Sequence, residues 1–187
     1  MEIEMEFFPR KVNSRGQLKA LRRDGKVPCV FYSKGSENEV GYVNKDAVDT
    51  VLRELEFGFL PTTVFLLKDK AGKTRKAIIK DIQYHVTTYN VLHVDFLELV
   101  TERLVDIKVP VQCLGTIECV GVKAGGFLRQ VKQHIEVRCL PRYIPSHFEV
   151  DVRDLDVRQV KRVSDITIPA HVTPRIKSSD VVVTVVK

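Results

Sequence analysis

Apolar and polar residues alternate from the start of the chain. In EIEMEFF, Ile3, Met5 and Phe7 fall on one face and Glu2, Glu4 and Glu6 on the other. A period of two with one apolar face predicts a half-buried strand. Ser14 to Asp24 predicts a short helix, closed by Gly25 in the left-handed conformation that ends many helices. VPCVFY (27–32) predicts a buried strand and SKGSENE (33–39) a polar loop. Asn44 is placed to cap a helix in which Val48, Val51, Leu52 and Leu55 recur at helical spacing, ending near Gly58. TVFLLK (63–68) and TRKAIIKDIQY (74–84) predict strands flanking DKAGK, where Gly72 marks a hairpin turn. NVLHVDFLEL (90–99) predicts a further strand. Residues 1–97 therefore read as a small sheet with two helices.

From about Val100 the pattern changes. DIKVPV, QHIEVRCL, HFEVDV, DITIP and DVVVTVV are strand-like runs at short intervals with turn residues between them. VRDLDVRQV is the one stretch with a trace of helical period, and it reads equally as loop and strand. Residues 98–187 predict an all-β domain, a sandwich or barrel, with LVTERLVD (99–106) as the hinge. The fold class is mainly β with a few helices. GVKAGG (121–126) lacks the phosphate-loop pattern and predicts a β-turn or bulge with glycines at positive φ. The prolines of LPRYIPSH (140–147) predict an extended connection.

The length of 187 residues suffices for one or two domains, and the 44% hydrophobic and 29% charged shares are those of a folded globular protein. No apolar run approaches the roughly 20 residues needed to cross a bilayer, and MEIEMEFFPRK lacks the pattern of a secretory signal. A cytoplasmic protein is expected. Cys29, Cys113, Cys119 and Cys139 have no C-x-x-C spacing. They read as small core residues in a reducing compartment, with no metal site and no cofactor expected.

Charge adds more by its placement than by its total of +6. Residues 10–34 hold eight cations against one acid, Asp24, a local excess that points to a polyanionic partner. On a helix, Arg15, Lys19 and Arg22 share a face, with Lys26 in line past its end, and Leu18 and Leu21 lie beside them as anchors. The spacing alone leaves a solvated cationic face and a nucleic-acid surface both open. A second constellation is Gln83 with His93 and Asp95. On a strand, His93 and Asp95 share one face while Leu92, Val94 and Phe96 line the other. Acid–base catalysis, base and ribose recognition, and the solvent face of an edge strand all fit it. The catalytic reading lacks a nucleophile, since no G-x-S-x-G or comparable element exists.

The run G-x-L-K-x-L-R-R-x-G-K-V-P-x-V-x-Y (16–32), then Gln83, then L-H-V-D-F (92–96), resembles the bacterial large-subunit ribosomal protein family that binds 5S rRNA, to which the general stress protein CTC is related. VPVQCLG, GVKAGGFL, LPRYIPSHFEVDV, VSDITIP and VVVTVV resemble the C-terminal β domain of its longer members. The similarity runs in order along essentially the whole chain. It implies a β-barrel-like N-terminal domain with helices at 1–97, which docks on 5S rRNA in the central protuberance, and an all-β domain at 98–187. The RNA-contact positions it implies are Arg10, Arg15, Lys19, Arg22, Tyr32, Gln83, His93 and Asp95. The partners implied are 5S rRNA and large-subunit ribosomal proteins, with no membrane, a monomeric free protein, and no enzymatic activity.

Three positions depart from the family pattern. Lys19 stands where arginine is common, which turns a two-pronged phosphate contact into a point charge. Leu18 stands where a small or polar residue is common. VRQVKRVSD (157–165) replaces a glycine-containing turn, so the local backbone is expected to differ. Two alternatives stand beside the ribosomal reading: a stress-induced RNA-binding protein acting partly off the ribosome, and a His93/Asp95 acid–base enzyme.

Overall fold

The computed structural model describes residues 2–11, 14–32, 37–56, 58–69 and 72–187. The chain divides into two units, the first running to Arg103 and the second from Leu104 to Lys187.

The alternation of the first residues forms β1 (Glu2–Pro9), which buries Met5 and Phe7 and exposes its glutamates. α1 (Arg15–Arg23) follows, with Ser14 at its N-cap. The Ser14 N–H donates to Gln17 Oε1 at 2.9 Å, so the side chain at the third helical position satisfies a backbone donor at the cap. Gly25 stands just past the helix at φ +70, as predicted. β2 (Lys26–Tyr32), β3 (Glu39–Asn44), α2 (Lys45–Glu54), β4 (Val64–Asp69), β5 (Thr74–Tyr84) and β6 (Val91–Glu98) complete the unit. β3 was not foreseen, because Gly41 breaks the run of side chains that would mark a strand. The predicted loop at 33–39 and turn at 69–73 fall in part outside the described residues, at 33–36 and at 70 and 71.

These strands close into a barrel in the order β1-β3-β2-β6-β5-β4, with β1 and β4 joined in parallel. Met5, Phe7, Val27, Cys29, Phe31, Val43, Phe65, Leu67, Ala77, Ile79, Val94 and Phe96 fill it, and Val48 and Val51 of α2 join the same cluster. One charged side chain points inward among the aromatics. The Arg75 guanidinium stacks 4.2 Å from the ring centre of Phe31 and donates to both Glu39 oxygens at 2.7 and 2.8 Å. Only 13% of that side chain is exposed.

The second unit contains β7 (Val105–Leu114), α3 (Val120–Lys123), β8 (Phe127–Gln130), β9 (His134–Cys139), β10 (Phe148–Asp151), β11 (Val160–Arg162), β12 (Thr173–Pro174) and β13 (Val181–Val186). One sheet runs β10-β7-β9-β12 and the other β11-β13-β8. Val105, Ile107, Val109, Ile135, Val137, Val182, Val183 and Val185 are buried, so strand alternation specifies this core too.

Three local expectations need correction here. DITIP is not a strand: a 3-10 turn spans Val163–Asp165, and no strand follows until β12. The Asp165 carboxylate accepts the Arg162 N–H at 2.8 Å and holds the turn. GVKAGG is not a simple β-turn, since its first residues belong to the helical turn α3 and only Gly125 has positive φ. Gly121 and Gly126 serve close packing instead, because a Cβ on either would fall 2.9 or 2.8 Å from Val185 Cγ1. The connection 140–147 contains a 3-10 turn at Pro141–Tyr143 rather than being extended throughout. In VRQVKRVSD, Arg158 adopts φ +68, a left-handed conformation that glycine adopts without strain.

The packing of these units makes three predictions. Arg75→Ala should lower the melting temperature of the first unit, by roughly 5–15 °C for a loss of about 1–2 kcal/mol. The Arg75 hydrogen bonds hold the Glu39 carboxyl below its ordinary value of 4.5. Their contribution is complete above that value and disappears as pH falls through the lower folded value. The melting-temperature gap between wild type and Glu39→Gln, followed by circular dichroism, should therefore close on acidification. Burial pushes the Cys29 thiol up to about 12, and Cys119 and Cys139 are also buried whereas Cys113 is half-buried. Iodoacetamide at pH 8 should label Cys113 first in the native protein, and all four cysteines after denaturation, as read by mass spectrometry.

Candidate nucleic-acid interface

α1 carries cations on its surface and no acid within its span. Arg15 and Lys19, one turn apart, are exposed and make no ion pair with a described residue. The expected anchors Leu18 and Leu21 are only half-buried, and no residue of α1 is fully buried. The helix is fastened instead by Arg22, whose Nε donates to the Leu92 carbonyl of β6 at 3.0 Å. That bond joins the end of the cationic helix to the residue beside His93. Arg10 stands at the end of β1, half-buried, with Nε on the Gly41 carbonyl at 2.9 Å.

His93 and Asp95 lie on the outer face of β6, between the buried Val91, Val94 and Phe96. A bulge between Ile79 and Asp81 sets the register of β5, which places Gln83 opposite His93 and Asp81 opposite Asp95. The four polar side chains share this face. Asp95 is the node. Its Oδ1 lies 2.7 Å from His93 Nδ1, and its Oδ2 accepts the Tyr32 hydroxyl at 3.4 Å. The His93 contact is close in distance but off the line of a hydrogen bond, so Nδ1 has no aligned partner among the described residues. Burial first, then the Asp95 charge and hydrogen bond, hold the Tyr32 phenol above its ordinary value of 10.0. Tyr32 therefore stays a protonated donor at neutral pH.

Of the eight positions named from the sequence, Tyr32, Gln83, His93 and Asp95 form one outer surface, and Arg22 reaches its border. Arg15 and Lys19 lie on the helix that Arg22 tethers, while Arg10 is held at β3. Sequence reasoning missed Asp81, because the bulge that turns it toward Asp95 leaves no trace in the alternation. The assembled surface offers a hydroxyl, an amide, an imidazole and carboxylates beside exposed cations. Donors and acceptors of this kind read base edges and 2′-hydroxyls, and the cations neutralise phosphates.

Both units match known families. Residues 5–96 match the Ribosomal L25p family, and residues 104–187 match the C-terminal domain of ribosomal protein TL5. The chain belongs to the L25p family, in the two-domain form that carries the TL5-type domain. It is 42% identical over 183 residues to the large ribosomal subunit protein bL25 of Chlamydia abortus, covering 98% of each chain. To the protein of that name from Chlamydia muridarum it is 40% identical over 185 residues, covering 99% of this chain and all of the relative. The resemblance read from the sequence is thus the family to which the chain belongs.

Tyr32→Phe removes a long, partly solvated hydrogen bond and no packing. It should shift stability by less than about 1 kcal/mol, so that the melting temperature moves by only a few degrees.

Proposed function

We propose that the chain is a non-enzymatic component of the large ribosomal subunit that binds 5S rRNA through its first unit. The relatives' name, large ribosomal subunit protein, supports the assembly. The observation that carries the RNA reading is the Arg22–Leu92 bond, which couples an acid-free cationic helix to the strand bearing His93 and Asp95.

In this reading Arg15, Lys19 and Arg22 engage phosphates and set the register, Arg22 with the guanidinium nitrogens its Leu92 bond leaves free. Arg10 adds a contact from the barrel rim. Gln83, His93 and the Tyr32 hydroxyl meet base edges or 2′-hydroxyls. A carboxylate facing RNA repels phosphate, so Asp95 accepts from a base amino group or a 2′-hydroxyl while it orients His93 and Tyr32. The unit beyond the hinge packs against neighbouring large-subunit proteins. The free protein is a cytoplasmic monomer that needs no cofactor.

With about four cations on phosphates, the logarithm of affinity should fall against log salt with a slope of about −3. In filter binding with 5S rRNA, Arg15→Glu/Lys19→Glu should weaken binding at least tenfold and flatten that slope. His93→Ala should weaken binding about tenfold with the slope unchanged, as expected for a contact that neutralises no phosphate. Unchanged affinity in both variants would refute the assigned surface.

A further inference from the structure

Beyond the surface just described, a concave site opens between the end of α1, the start of α2 and the turn that joins β5 to β6. Arg22, Lys26, Lys45, His85, Thr88 and Asn90 line it over a floor of Val27, Val91 and Leu92. Three cations converge there, and no carboxylate is among the described lining residues. Such a convergence is repulsive in the free protein and favours an anion.

Its donors are held in place. Arg22 spends Nε on Leu92, which leaves its Nη groups for a ligand. Lys45 gives one N–H to Asn90 Oδ1 at 3.1 Å and keeps two. Lys45 is also the first residue of α2, whose N-cap Asn44 makes no side-chain cap hydrogen bond and whose first turn carries Asp46, so the helix end adds little net field and the cations carry the site. Lys26 Nζ sits 5.3 Å over the Tyr42 ring. His85 Nδ1 lies 3.0 Å from the Thr87 hydroxyl. The same nitrogen faces the backbone N–H groups of Thr87 and Thr88 at 3.4 and 3.3 Å. Amides only donate, so these contacts favour the tautomer in which Nδ1 accepts and Nε2 carries the proton.

The turn also presents an aromatic. Tyr89 is 79% exposed and takes φ +54, an uncommon conformation for a bulky residue. Its N–H donates to the His85 carbonyl at 2.9 Å, and its neighbours in sequence, Thr88 and Asn90, both line the cleft.

We propose that this cleft binds one RNA phosphate, and that the base of an adjoining unpaired nucleotide stacks on Tyr89. The site deepens the 5S rRNA reading and rests on it. It extends the contact from the barrel face to the far end of α1, and it gives Lys26 a ligand that the α1 face does not.

The test is filter binding of the full-length protein to 5S rRNA across a salt series. Lys26→Gln/Lys45→Gln should lower affinity several-fold and reduce the salt slope by about 0.7–0.9, the value for one phosphate. Tyr89→Asn removes the ring with a residue that tolerates positive φ and should weaken binding about tenfold, whereas Tyr89→Trp should retain it. Circular dichroism melting of each variant separates lost contact from lost fold, and the lysine pair carries the test if Tyr89→Asn unfolds. If Arg15→Glu/Lys19→Glu weakens binding while the cleft variants keep wild-type affinity and slope, the cleft is refuted and the RNA reading stands. If the wild-type protein does not bind 5S rRNA, both fall together. Cleft variants that bind RNA normally but fail to join large subunits would also overturn the proposal, in favour of a protein partner.

Discussion

The parallel ladder between β1 and β4 is the constraint on which the first unit depends. It pairs Glu2 through Phe7 with Val64 through Asp69, and it converts a six-stranded sheet with two raw edges into a closed barrel. Closure leaves each strand one interior and one exterior face. The interior is filled by Phe7, Phe31, Phe65, Phe96 and their aliphatic neighbours. His93 and Asp95, interleaved with Val94 and Phe96, must then face outward. Any function they have is exercised on a surface rather than in a pocket. α1 faces the same restriction. It cannot enter a filled barrel, so Leu18 and Leu21 reach only half burial and the Arg22 bond to Leu92 adds to its attachment.

Charge is used in two ways that burial keeps apart. Arg75 is nearly enclosed, its plane against Phe31 and its hydrogen bonds on Glu39. That arrangement pairs its charge with Glu39 and seats its plane against the aromatic core. Arg15 and Lys19 have no such commitments within the described chain and remain available to a partner. Arg22 stands between these extremes, with one nitrogen holding the helix to β6 and the others free. Its position explains how a helix with so little apolar anchorage has a defined orientation.

Much of this was legible in the sequence, and the reasons are local. The alternation in EIEMEFF, the placement of Gly25 and the helical spacing of Val48, Val51 and Leu52 follow from short-range rules that the structure obeys, although α2 stops at Glu54, short of the expected end near Gly58, and leaves Leu55 as an extended C-cap. The outward face of His93 and Asp95 followed from strand period alone. What escaped depended on neighbours distant in sequence. DITIP has a strand's alternation, but Asp165 captures the Arg162 amide and turns the chain. The glycines at 121 and 126 are set by Val185, some sixty residues on. The bulge that turns Asp81 toward Asp95 follows no composition rule. The cleft was invisible for the same reason. Lys26, Lys45 and His85 lie far apart in sequence, and only the barrel brings them together.

The division of labour between helix and strands has a physical rationale. Phosphate contacts carry most of the affinity for a nucleic acid but little sequence information, and they tolerate mobile donors because the field of a phosphate is broad. Contacts to base edges lose their value with small displacements, so they belong on rigid elements. The proposed RNA reading fits both requirements: Arg15 and Lys19 sit exposed on α1, whereas Gln83 and His93 are cross-strand neighbours in the barrel ladder. Asp95 accepts the Tyr32 hydroxyl with one oxygen and lies 2.7 Å from His93 Nδ1 with the other. In the proposed RNA reading, the Arg22–Leu92 bond would fix the spacing between the phosphate contacts and the base contacts.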